Sequence, residues 1–218
     1  MLIYIITLCF SIYFVIIKFM IVKKFIKNPL NNNNYVVIDE VSKEALLVDC
    51  SEPCDDIIDY INNYGAKLKY ILLTHAHFDH ILGVEYVREK TKALSCLHQD
   101  DKDVLDSVSM FIDGAKPPVI DIFFDDVKSF YLGDIEIKVL HTSGHSKGSV
   151  CYLIKDYLFS GDTLFYGTYG RTDLPTGSNQ EMFKSLQKIF LLPDDVKVYP
   201  GHGKDTLIEK EKKHYIFE

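Results

Sequence analysis

Three histidines and an aspartate fall within six positions of the segment LLTHAHFDH, as His75, His77, Asp79 and His80. Imidazole and carboxylate are natural ligands for divalent first-row cations where no thiolate set is present. Their spacing divides the four into pairs. Two residues apart on an extended chain, His75 and His77 point to one side, whereas Asp79 and His80 follow where the chain must turn into a helix. Each pair can serve its own cation, yet two ions that take about four ligands each need more donors than these. Three later segments supply them: TSGHSKGS carries His145, FSGDT carries Asp162 and YPGHG carries His202. The expected arrangement has His75, His77 and His145 on one ion, Asp79, His80 and His202 on a second, and Asp162 bridging the two. Asp162 as the shared bridge and Asp79 as proton acceptor or orienter of hydroxide are then the candidate catalytic carboxylates. The cofactor expected is two divalent ions per chain, with zinc the default and iron or manganese compatible with the same ligands.

Donors this far apart in sequence need elements that bring them together. Each follows an apolar run of strand character: YILLT (70–74) ahead of the first cluster, IEIKVLHT (135–142) ahead of His145, YLF ahead of Asp162 and VKV ahead of His202. Glycines beside the last three allow tight turns, and strand ends of this kind meet along one sheet edge, where sites are commonly built. Upstream, YVVID (35–39) and ALLVD (45–49) read as a hairpin. SEPCDDIIDYINNYG reads as a helix with Pro53 in its first turn and Gly65 as its stop. GVEYVREKT, a segment from Asp100 to Ser107 and SNQEMFKSLQKIF are further helices. ALSCL, SVCYLIK, YLFSGD and VKVYPG are further strands, SVCYLIK and YLFSGD being hinged at Lys155 and Asp156. Strands and helices mingled with hairpins predict an α+β fold with mixed sheets and helices outside. His98, His141 and His214 read as ordinary structural histidines, and Cys151 as a small buried hydrophobe.

The 218 residues are 47% hydrophobic and 25% charged, which suits one globular domain with an appendage. A formal charge of −7 lacks the basic footprint that nucleic-acid binding needs, so a small-molecule partner is expected and no nucleic acid. Five cysteines without paired spacing point to a reducing, cytoplasmic compartment. Residues 1–22 are almost wholly apolar until Lys18, with Lys23, Lys24 and Lys27 behind them. They are close to the ~20 residues that cross a bilayer. Two alternatives stay open: a membrane anchor whose trailing lysines keep the main domain cytoplasmic, or a mis-assigned start with Met20 as the true first residue. With NPLNNNN taken as a polar linker, residues 1–33 stand apart from a catalytic domain spanning 34–218.

Taken in order, THAHFDH, TSGHSKGS, FSGDT and YPGHG resemble the metallo-β-lactamase superfamily over nearly all of residues 35–205. The resemblance implies an αββα sandwich of two mixed sheets with helices on the outer faces and two metals at one edge. GDTLFYGTYGRTDLPTGS is similar to the corresponding segment of short glyoxalase II-like hydrolases, the hydroxyacylglutathione hydrolases. That likeness implies a thioesterase acting on S-acylglutathione, S-lactoylglutathione for example, by attack of metal-bound hydroxide on the carbonyl. It also makes Arg171 a candidate clamp for a substrate carboxylate, the alternative being an ion pair with Asp173 that only holds the loop. Full-length glyoxalase II carries a helical C-terminal region with further glutathione contacts. The residues after YPGHG offer no counterpart, so a broader thioesterase is expected. Tyr166 and Tyr169 in the same loop read as packing residues. The competing class is a mononuclear iron sulfur (persulfide) dioxygenase, whose last motif typically reads PAHDY where YPGHG stands here.

Overall fold

In the computed structural model, residues 20–125 and 129–215 are described. The first sheet holds β1 (Met20–Lys27), β2 (Asn32–Asp39), β3 (Glu44–Val48), β4 (Lys67–Leu72), β5 (Leu94–His98) and β6 (Ile122–Phe124) in that spatial order. β1 to β3 pair antiparallel and β3 to β6 parallel. The second sheet runs in the spatial order β14 (Thr206–Leu207), β13 (Lys197–Pro200), β10 (Tyr157–Gly161), β9 (Val150–Ile154), β8 (Ile135–His141) and β7 (Ser129–Leu132). β10 and β13 are parallel and their neighbours antiparallel, so both sheets are mixed. A small hairpin, β11 (Leu164–Phe165) with β12 (Thr168–Tyr169), stands apart from both.

Alternation along the strands builds the layers. Tyr35, Val37, Leu46 and Val48 face the second sheet and meet Ile137, Val139, Tyr152 and Phe159 in a shared inner core. The intervening Val36, Ile38, Ala45 and Leu47 face outward. There they pack beneath α1 (Asp55–Asn63), α3 (Val84–Thr91) and α4 (Lys102–Asp106), which contribute Ile57, Ile61, Val84, Val87 and Val104. On the opposite outer face Met182, Leu186 and Ile189 of α6 (Asn179–Ile189) cover Leu158 and Val198. Ser178 caps α6 by accepting from the Glu181 amide, as serine before a helix favours. The remaining helices are single turns: α2 (Phe78–Ile81), α5 (Val108–Phe111) and α7 (Ile208–Lys212). Helix, sheet, sheet, helix is the expected αββα sandwich.

The boundary at residue 34 needs correction. β1 pairs with β2 along its whole length, from Met20 against Asp39 to Lys27 against Asn32. Its side chains alternate too, Ile21 and Phe25 packing on the outer core and Met20 and Val22 on the inner one. Lys24 and Lys27, which the sequence offered as flanks of a membrane span, pair with Asp205 and Asp56 instead. The last residues of the apolar run thus belong to the sandwich. NPLNNNN is no linker either: Asn28 and Asn31 adopt left-handed backbone at the turn, and Asn32, Asn33 and Asn34 are buried in β2. Residues 1–19, on which the anchor and mis-assigned start depend, lie outside the described residues. Among the described residues no helix is long and apolar enough to cross a membrane.

Pro53 also sits differently, two residues ahead of α1, with Cys54 at its N-cap. Cys50, Cys54, Cys96 and Cys151 are buried.

Candidate metal centre

The seven expected donors meet at one edge of the sandwich. β4 ends at Leu72 and delivers His75 and His77, after which the single turn α2 carries Asp79 and His80. The β8–β9 loop brings His145, the chain beyond β10 brings Asp162 and the chain beyond β13 brings His202. Donor atoms of His75, His77 and His145 lie within 4.8 Å of one another; so do those of Asp79, His80 and His202, and those of His75, His80 and Asp162. Asp162 touches both groups, its Oδ2 lying 3.5 Å from His145 Nε2 and 3.6 Å from His202 Nε2. The third group, His75, His80 and Asp162, overlaps the other two.

Partners around the rim fix which ring nitrogen faces inward. Nδ1 of His145 donates to the Arg171 carbonyl at 2.7 Å, Nδ1 of His80 to Asp49 at 2.9 Å and Nδ1 of His202 to the Leu30 carbonyl at 3.2 Å. His75 Nδ1 lies 3.1 Å from Thr74 Oγ1, a hydroxyl whose own proton goes to Asp49. Each of these rings therefore turns Nε2 to the centre, the outward hydrogen bond setting the orientation as it does for histidines that ligate metals. His77 is reversed, with Nδ1 inward and 2.8 Å from His145 Nε2.

These residues suit divalent ions on three observations. His75 Nε2, His80 Nε2 and Asp162 Oδ1 are buried without any hydrogen-bond partner, and an orphaned buried polar atom costs about 1–3 kcal/mol. Inward contacts such as His202 Nε2 to Asp79 Oδ2 (3.4 Å) and His80 Nε2 to Asp162 Oδ1 (3.5 Å) are long for hydrogen bonds. They match the edge of a coordination tetrahedron, roughly 3.3–3.6 Å for ligand bonds of ~2.0–2.2 Å. Finally, side chains are excluded where the donors crowd: a Cβ at Gly201 would collide with Asp162 Oδ1, and one at Gly170 with the Asp162 carbonyl.

The electrostatics of the donors fit a cation site. Burial, reinforced by the neighbouring imidazoles, drives His75 well below its ordinary value and His77 down to about 3, leaving both as neutral lone-pair donors. Burial opposes charge on His80 as well, but Asp162 and Asp49 outweigh it and hold the ring near 10. Burial would also raise Asp79, yet His202, His80 and Asn32 overcome it and keep the carboxyl well below the usual carboxylate range.

The residues that position the donors were not legible beforehand. Asp49, at left-handed φ 58° just past β3, accepts from His80, from the Thr74 hydroxyl and from the Thr74 amide. Asp101 accepts from the amides of Ala76 at 2.7 Å and Gly148 at 2.8 Å, joining the two loops that carry the first histidine group. Asn32 Nδ2 lies 3.2 Å from Asp79 Oδ2 and 3.3 Å from His202 Nε2. Asn33 donates to the Pro200 and Gly203 carbonyls on either side of His202. The signal for Asp49 was present, since ALLVD puts a carboxylate at a strand end as the donors' own segments do.

A cavity of about 270 Å³ opens over the centre. Leu30, Phe78, Phe111 and Leu174 form its apolar wall, and Phe78 stacks on Phe111. Arg171 is also on its lining, but its guanidinium pairs with Asp173 through two 2.7 Å contacts, both side chains being exposed. Arg171 thus both lines the cavity and makes the loop ion pair.

The chain belongs to the metallo-β-lactamase superfamily, whose family model matches residues 28–202. It is therefore placed among the metallo-hydrolases by fold and by the chemistry of its donors. It is similar to the probable metallo-hydrolase YqgX of Bacillus subtilis, 35% identical over 201 residues that cover 86% of this chain and 93% of that protein. It is 32% identical over 174 residues to a hydroxyacylglutathione hydrolase of Pelagibacter ubique, covering 79% of this chain and 66% of that one. Among solved structures, BLEG-1, a B3 metallo-β-lactamase, superposes with a TM-score of 0.82 at 34% identity, covering 89% of this chain and 97% of the other.

Proposed function

We propose that this protein is a dinuclear metal-dependent hydrolase of thioesters, acting on S-acylglutathione compounds such as S-lactoylglutathione. The observation that carries the reading is the convergence of seven donors around three buried atoms that have no other partner. His75, His77 and His145 would hold one ion, Asp79, His80 and His202 the other, and Asp162 would be shared. Bound there, two divalent ions supply Lewis acidity and lower the pKa of water toward ~7.

The chain's own side chains do the rest. Asp49 keeps the Nδ1 proton of His80 in place, so that the ring presents Nε2 inward. Asp79 would hold an ion, accept from Asn32 and serve as the carboxylate that orients hydroxide or takes its proton. Leu30, Phe78, Phe111 and Leu174 screen the reacting carbonyl from bulk water. No Ser or Cys lines this cavity among the described residues, and none is needed. A thiolate with pKa of about 8.5 leaves without strong help from a general acid.

Likeness to the Pelagibacter ubique hydrolase supports the thioester class. The second donor group has no task in an oxygenase that holds one iron by two histidines and an aspartate, which favours hydrolysis over the dioxygenase alternative. Metal content and turnover of one preparation test the proposal. Two metal equivalents per chain with hydrolysis of S-lactoylglutathione are expected. One iron per chain, oxygen uptake on glutathione persulfide and no thioester turnover would overturn it.

A further inference from the structure

His202 is a wall shared by two cavities. One is the apolar cavity over the metal centre; the other, of about 330 Å³, is lined by Phe165, Tyr166, Thr168, Gly203 and Lys204. This second lobe differs in chemistry. Phe165 and Tyr166 offer aromatic surface, Phe165 meeting the His202 ring edge-on, and Lys204 places its ammonium 3.7 Å from the Tyr166 ring centre.

The charge state of the two rim cations decides which one is open to a ligand. Arg171 is already neutralised by the bidentate contact with Asp173. Lys204 has no carboxylate partner among the described residues, its only charged-group contact there being the Tyr166 face. In a chain of net charge −7, a cation left uncompensated beside a metal-ligand candidate is poised for an external anion. The ring beneath it holds the ammonium at the lobe without cancelling its charge.

We propose that the Lys204–Tyr166 lobe binds the anionic end of the substrate's thiol portion. The acyl group then lies against Leu30, Phe78, Phe111 and Leu174, and the thiol arm passes over His202 to reach Lys204. This rests on the thioesterase reading for the identity of the substrate and goes beyond it in assigning the subsite. The shared chemistry is a thiol bearing a carboxylate, as in glutathione, or a phosphate, as in coenzyme A.

The test compares S-lactoylglutathione, acetyl-coenzyme A and an uncharged ester, S-acetyl-N-acetylcysteamine, on metal-loaded full-length wild type, K204Q, K204E and R171Q. The ratio of kcat/KM for an anionic ester over the uncharged ester should fall about threefold in K204Q, the size of one exposed ion pair, and by about tenfold on charge reversal in K204E. The loss should appear in KM, and the rise of wild-type KM with added salt should flatten in K204Q. The anionic ester whose ratio moves identifies carboxylate or phosphate as the group bound. Unchanged ratios for both anionic esters in K204E, or a larger loss in R171Q than in K204Q, would overturn the assignment. If the wild type hydrolyses none of the esters, the thioesterase reading fails by itself. The lobe is then judged by calorimetric titration with S-methylglutathione and coenzyme A: binding that K204E loses upholds it, and no binding by the wild type refutes it.

Discussion

Asp101 is wholly buried and touches no candidate metal, yet the geometry makes it a keystone of the centre. Its two oxygens take the amides of Ala76, between His75 and His77, and of Gly148, three residues past His145. Burial raises its carboxyl above the ordinary value, although Ser146, Ala76 and Gly148 donate to it. In Asp101→Ala both amides lose their acceptor where water does not reach. At about 1–3 kcal/mol for each orphaned donor, the variant should lose roughly 2–6 kcal/mol. For a chain of this size a kcal/mol corresponds to about 2–4 °C, so melting should fall by roughly 5–20 °C. Asp101→Asn keeps one acceptor oxygen and turns an NH₂ toward the other amide, so it should fall between alanine and wild type. Because the two loops carry one histidine group, metal affinity should weaken as well, by about 10–100-fold, the usual cost of losing an outer partner. Thermal melts with and without chelator, followed by competitive metal titration, read both effects. If Asp101→Ala melts within ~2 °C of wild type and holds metal equally well, the bridging argument is wrong, since a buried acceptor of two amides cannot be lost so cheaply.

Other consequences concern the centre itself. Asp162→Ala should abolish turnover and lower metal content while the far-ultraviolet dichroism stays native, because it removes the carboxylate that lies against both groups; full activity in that variant would refute the shared-carboxylate arrangement. Gly201→Ala, whose methyl would collide with Asp162 Oδ1, should purify folded but depleted of metal; equilibrium dialysis giving wild-type stoichiometry would contradict the cradle. Chelated protein should be most stable near pH 6.5. His75 and His77 lie below that ordinary value when folded, so their contribution is lost as pH falls from about 6.5 toward 3. His80 is raised to about 10, so its contribution is complete below about 6.5 and lost as pH climbs toward 10. Urea midpoints that stay level from pH 5 to 9 would show that these rings do not govern the ion-free fold.

The donors could be read from sequence because each announces itself locally. His75, His145, Asp162 and His202 all follow an apolar run, and the last three have glycine at hand, so residue type and strand end coincide within a few positions. Asn32, Asn33 and Asn34 lack any such local mark. A polar amide run has the composition of a linker, and its meaning depends on what it faces. Here Asn33 Nδ2 satisfies carbonyls beside His202, and Asn34 and Ser51 exchange hydrogen bonds at 2.7 and 2.9 Å, while the Asn32 and Asn33 side-chain oxygens are buried without a partner. β1 was hidden for a related reason: alternation in MIVKKFIK is blurred where lysine stems cover the sheet edge, and the apolar residues before it suggest a longer hydrophobic segment. Asp101 escaped notice because its partners are backbone amides, which every residue type supplies equally.

The division of labour between the sheets explains why so much of the outer support is needed. The first sheet contributes His75, His77, Asp79 and His80, and the second contributes His145, Asp162 and His202. No donor group is complete within one half, since His145 joins the first histidine pair and His202 joins Asp79 and His80. The inner core of aromatic and aliphatic side chains fixes the sheets face to face, but apolar contacts carry little directional information about an edge. Direction comes from polar ties across the seam: Asp101 to Gly148, the Val150 amide to the Thr74 carbonyl at 2.9 Å, the Asn33 amide to the Gly201 carbonyl at 2.7 Å and the Tyr35 hydroxyl to the Pro200 carbonyl at 2.8 Å. Three of these ties end within two residues of a donor, at Thr74, Gly201 and Pro200, and Asp101 links Ala76, which lies between His75 and His77, to Gly148, three residues past His145. The seam is thus pinned where the ligand atoms must register, and the lobes that would sort substrates, at Phe111 and at Lys204, hang from loops outside it and can vary without disturbing that registration.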